Sequence, residues 1–194
     1  MHADNQEHAH DHHELPASGR ALDVLALSAT LHCLTGCAIG EVTGMVIGTA
    51  LGWSEWATVA LAVALAFLFG YTLTSLPLLR GGLALGAVIP IALASDTLSI
   101  AIMEVVDNAI MLAIPGAMEA GLDNTLFWGS LSVALAVAGF AAYPANRWLL
   151  RRGKGHAAVH ATGIHGGPSP RLVGTIAIIA ATFGAIVLLA EALG

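Results

Sequence analysis

Five long apolar runs, at about residues 22–51, 57–79, 83–114, 125–149 and 172–193, leave this chain few ways to fold. Each is at or above the roughly 20 residues that a helix needs to cross hydrocarbon. They lack the alternation of barrel strands, and in lipid only helices or closed barrels satisfy every backbone N–H and C=O. Composition agrees, since 57% of the residues are hydrophobic and 10% are charged, against about 25% charged in a soluble domain. The expected fold is all-α: a polytopic membrane helical bundle of about five transmembrane helices.

The cations set an orientation. Arg20, Arg80, Arg147, Arg151, Arg152, Lys154 and Arg171 all fall before the first span, in the second loop, or in and beside the fourth. The charged groups of the first and third loops are Glu55, Glu119 and Asp123. The positive-inside rule then predicts a cytoplasmic N-terminus and an external C-terminus. Four or six spans would scatter the cations to both sides. Residues 1–20 form a polar, His-rich tail, so no cleavable signal peptide is expected. Residues 21–194 form the membrane domain, with one long cytoplasmic loop at 150–171. No internal repeat supports an inverted-repeat transporter.

Inside the first span lies "LHCLTGCAIGEVTGM". At 100° per residue, with Cys33 as zero, Cys37 falls near about 40°, Glu41 near about 80° and Met45 near about 120°. This ladder offers one potential metal ligand per turn. Beside it run Gly36, Gly40, Gly44 and Gly48, a small-residue ridge that lets another helix approach closely, and His32 flanks that ridge. Two cysteines alone in a membrane helix act as small hydrophobes. A carboxylate at membrane depth, however, costs several kcal/mol unless paired, protonated or hydrated.

The third span has the same character in "SDTLSIAIMEVVDNAIM". With Asp96 as zero, Ser99, Met103, Asp107, Met111, Glu104 and Asn108 fall at about −60°, −20°, 20°, 60°, 80° and 120°. Polar groups and thioethers thus share one half of the helix, while Leu98, Ala101, Ile102, Val105 and Ala109 form an apolar half. A stripe of carboxylates in a span marks an ion path, a proton relay or a metal site. The first and third helices run in the same direction under this topology, so Cys33, Cys37 and Glu41 are expected to meet Asp96 and Glu104 at similar depth.

Ligand softness points to a transition metal. Thiolate and thioether favour copper(I), imidazole suits zinc, copper and iron, and carboxylates suit harder ions. The expected metal is copper(I), with zinc and iron as further candidates. Candidate ligands are His32, Cys33, Cys37, Glu41, Met45, Met103, Glu104, Asp107 and Met111; Asp96, Glu104, Asp107 and Asn108 would carry ions or protons. His8, His10, His12 and His13 of the tail, with His156 and His160 of the loop, would capture metal in the cytoplasm. Two alternatives are a proton or cation conductor using the carboxylate stripe, and an accessory subunit of a larger membrane complex. At this size a homo-oligomer or a partner complex is expected, surrounded by membrane lipid. The cysteines are not spaced as C-x-x-C, which weakens a thiol oxidoreductase. Neither a phosphate-binding glycine loop nor a nucleophile motif is present, so the chain is not expected to be an enzyme. No aromatic-basic face is present to hold nucleic acid.

The stretches "HCLTGCAIGEVTGMVIGTALGW", "SDTLSIAIMEVVDNAIMLAIPGAMEAGL" and "YPANRWLLRRGKGHAAVH" resemble domain-of-unknown-function family 4396, a bacterial membrane family. The resemblance covers about residues 25–190. It implies a small polytopic helical protein of a bacterial inner (plasma) membrane and assigns no functional residue.

Overall fold

The computed structural model of the protein describes residues 19–163 and 170–193, so the tail histidines His8, His10, His12 and His13 lie outside the described residues. The regular structure of the described residues is all helical: α1 (Arg20–Ala50), α2 (Glu55–Arg80), α3 (Leu85–Ala113), α4 (Thr125–Arg151), α5 (Ala157–His160) and α6 (Pro170–Leu193). All but the single turn α5 are long and apolar enough to cross a membrane. The protein is a polytopic membrane helical bundle, and each span ends within two residues of where the sequence puts it. Large apolar side chains such as Leu68, Val105, Phe140 and Ile178 point outward, which a hydrocarbon solvent accepts.

α1 is the hub, packed against α2, α3, α4 and α6. Its glycine ridge meets small residues of the antiparallel α2: Gly36 faces Gly70, Gly40 faces Ala66, Gly44 faces Ala62 and Gly48 faces Thr58. A Cβ added to Gly36 would stand 2.6 Å from the Gly70 Cα. α6 lies outside, held chiefly by α4 where Gly129 meets Val187.

All seven cations gather at one end of the bundle, where α1, α3 and α6 begin and α2 and α4 finish. There Arg147 Nε binds Asp23 Oδ1 at 2.6 Å, tying α4 to α1.

This basic end contains a recess. Asn146 of α4 bonds to both Thr30 of α1 and Ser99 of α3, which sets a common level. From that level α1 runs on to Arg20, about 15 Å, and α3 back to Leu85, about 21 Å, but α4 reaches Arg151 after only about 7.5 Å. The chain that follows α4 folds into the gap. Gly153 (φ 65°) and Gly155 (φ 63°) turn it back through backbone angles that L side chains rarely adopt. Gly155 then rests on Leu149, and Ala157 is buried with Leu22, Ala26 and Leu150.

Candidate metal centre

The folded-back segment carries His156 into the bundle, where only 8% of its surface stays exposed. Its Nδ1 stands 3.2 Å from Asp96 Oδ1. The Cys33 thiol donates to the same oxygen at 3.8 Å. Both Cys33 and Asp96 are fully buried. These three residues, from α1, α3 and the loop after α4, place their ligand atoms within 4.8 Å of one another. Tetrahedral zinc, with bonds of about 2.0–2.3 Å, needs ligand atoms about 3.3–3.8 Å apart. The imidazole–carboxylate edge falls just short of that range and the thiol–carboxylate edge sits at its upper limit, so small side-chain shifts would close the three groups on an ion.

Asp96 Oδ2 and His156 Nδ1 make no well-formed hydrogen bond, although the Thr74 and Ser95 hydroxyls lie close to the Asp96 carboxyl. Burial pushes the His156 imidazole down to about 4, with His160 nearby acting in the same direction and a Ser95 backbone bond opposing them. Burial thus favours the neutral form of the His156 imidazole at this 3.2 Å contact, because desolvation penalises its charged form. A neutral imidazole is the form that ligates metal.

An outer layer holds these three side chains in place. The His32 ring packs edge-on against His156 at a centroid distance of 5.1 Å, and its Nε2 bonds to Thr74 Oγ1 of α2 at 2.9 Å. Beneath them Asn146 Nδ2 donates to Thr30 Oγ1 and to Ser99 Oγ, both at 2.9 Å. Such outer partners orient ligands and tune their basicity.

Further along the seam between α1 and α3, Cys37 Sγ stands 3.9 Å from Met103 Sδ, with Glu104 beside the thiol. Beyond them Glu41 lies against Asp107, while Met45 and Met111 pack in the same apolar cluster. Asn108 donates to the Glu104 carbonyl of its own helix at 2.8 Å. α1 and α3 thus run parallel with their ligand-bearing faces together, and the rungs match in order: Cys33 with Asp96, Cys37 with Met103, Glu41 with Asp107.

The sequence treats these residues as one site, whereas the structure separates them. His32, Cys33 and Asp96 form one cluster near the basic end; Cys37 and Met103 form a link; Glu41, Met45, Asp107, Asn108 and Met111 gather beyond it. The structure also relocates His156. The sequence places it with His160 as a cytoplasmic capture group, but the glycine turns bring it inside, against Asp96. Thr74 and Asn146 are additional members that the sequence reading did not single out. An asparagine within a hydrophobic span was the available signal for Asn146.

Fold and site together define a multi-pass helical membrane protein with a polar, sulfur-bearing seam buried between two parallel spans. The chain matches the domain of unknown function DUF4396 over residues 24–155 and belongs to that family. The matched segment takes in α1 from Val24 through α4 and ends one residue before His156, so α6 lies outside it, a shorter reach than the resemblance in sequence suggests. No curated protein and no solved structure matches the chain.

Proposed function

We propose that this membrane protein binds a transition metal ion within the bundle, at Cys33, Asp96 and His156, and passes it along the α1–α3 seam. One observation carries the reading: a thiol, a carboxylate and an imidazole, buried and drawn from three separate chain segments, converge within 4.8 Å. Nothing in ordinary helix packing requires that convergence, and each group is costly to bury unpaired. By the positive-inside rule the basic end faces the cytoplasm, so the site lies nearer that side. A mixed sulfur, nitrogen and oxygen set accepts copper(I), zinc or iron(II).

The test is elemental analysis of the protein purified in detergent from cells supplied with copper, zinc or iron. The expected result is about one metal ion per chain at this site, lost in Cys33→Ser and in His156→Ala. Loss of a ligand should lower affinity by more than the roughly 10–100-fold that follows removal of an outer partner. Metal content that is the same in wild type and both variants would overturn the reading.

A second reading, proton or cation conduction along the carboxylates, is favoured by the unpartnered oxygens of Glu41, Glu104 and Asp107. It would be selected by liposome flux that survives Cys33→Ser and disappears in Asp96→Asn.

A further inference from the structure

The atoms around Cys33 do not account for the acidic groups deeper in the seam. Glu41 lies eight residues along α1 from Cys33, and Asp107 eleven along α3 from Asp96, or about 12 and 16 Å by helical rise. Between them is a cavity of about 30 Å³ whose lining includes Glu41, Met45, Asp107, Asn108 and Met111. That volume exceeds the ~10–15 Å³ needed for one water and is large enough for an ion.

Glu41 is 5% exposed and Asp107 3%. Both oxygens of Glu41 and Oδ1 of Asp107 have no hydrogen-bond partner. Side by side in a low-dielectric interior, two such carboxylates repel when both are ionised, and the only hydrogen bond open to the pair is a proton shared between them. A cation in the cavity turns that repulsion into attraction. The thioethers narrow the class of cation. Calcium and magnesium take oxygen ligands almost exclusively, whereas a thioether beside carboxylates favours softer transition ions.

We infer that the Glu41–Asp107 cavity, with Met45 and Met111 in its wall, is a second metal site, specific for a divalent transition cation. This deepens the metal reading and rests on it, because it makes the cargo divalent rather than copper(I). The two sites are then successive stations on one seam, with Cys37 and Met103 between them. The first station presents a thiol to the ion, and the second presents carboxylates and thioethers.

Cobalt(II) distinguishes the two, because a thiolate ligand gives it an intense near-ultraviolet charge-transfer band. Full-length protein in nanodiscs is titrated with Co²⁺, and bound metal is counted alongside the band. Two ions per chain are expected, only one of them carrying the band. Glu41→Gln/Asp107→Asn should reduce the count to one and keep the band; Cys33→Ser should reduce it to one and remove the band. A wild-type count of one, or a carboxamide variant that binds like wild type, overturns the second site and leaves the first standing. If Cys33→Ser also binds like wild type, both fall. Met45→Leu/Met111→Leu conserves volume and guards against misfolding of the carboxamide variant. It should keep both ions while lowering preference for Co²⁺ over Mg²⁺ at the band-silent site by about tenfold. Unchanged preference would remove the thioethers from the site and overturn the proposal.

Discussion

α1 carries two faces about 100° apart, each repeating every fourth residue, and they do opposite things. The face of Gly36, Gly40, Gly44 and Gly48 has no side chains and brings α2 to backbone contact. The face of Cys33, Cys37, Glu41 and Met45 is nearly all chemistry, and it meets α3 through sulfur and carboxylate. The glycine face can hold α1 only in one rotation, because its knobless surface fits only the small residues opposite. Once that rotation is set, the ligand face points at α3. Position is thus supplied by the chemically mute face, and chemistry by the face turned to α3.

The strongest way to break this division is at Gly40. A Cβ there would land on the backbone of Ala66 and Leu65, atoms that cannot move aside as a flexible side chain would. Gly40→Leu is expected to destabilise the bundle by about 3 kcal/mol or more, at or beyond the upper end for overpacked interiors. Thermal unfolding in detergent would measure it, and metal retention should fall in parallel as α1 rotates. A melting temperature equal to wild type would show that the glycine face does not position the helix.

The difference between the faces also explains what could be read from the sequence. The spans, the small-residue ridge and the ligand ladder are all local periodic patterns, and a helix converts a four-residue period directly into a face. The matching of α1 and α3 was legible as well, because parallel spans of similar length bring like depths together. His156 was not. It reaches Asp96 because α4 stops short of its neighbours and two glycines reverse the chain, a tertiary circumstance with no periodic trace. The split into two clusters was hidden for a related reason. A helical wheel gives the angle of a residue and says nothing about which neighbours close around it.

Asn146 tests the boundary between the two roles. It donates to Thr30 and Ser99 and so joins three helices just below the first cluster. Interhelical hydrogen bonds in membranes contribute about 0.6 kcal/mol on average and at most about 1.7. Asn146→Leu is therefore expected to lower stability by about 1 kcal/mol, well short of Gly40→Leu, while weakening metal binding at Cys33 by about tenfold through loss of an outer support. Denaturant unfolding read beside metal titration would show both. A stability loss as large as that of Gly40→Leu would mean the polar seam holds the bundle together, and the contrast between faces would dissolve.

The smallest effect should come from the ligand face itself. Cys33→Ser keeps the size of the side chain and keeps a donor facing Asp96 Oδ1, the acceptor of the native thiol. With metal removed by chelation, its stability is expected to lie within about 1 kcal/mol of wild type, the scale of one net hydrogen bond. With metal restored, wild type should gain more stability by mass action than the variant, which keeps only the Glu41–Asp107 site, because each ion bound by the folded state adds to its stability. The informative measurement is that pair of melting curves. If chelated Cys33→Ser melts far below chelated wild type, the thiol is a packing group and α1 has two structural faces. If the curves coincide without metal and separate with it, Cys33 is there for the ion, and the glycines are there to aim it.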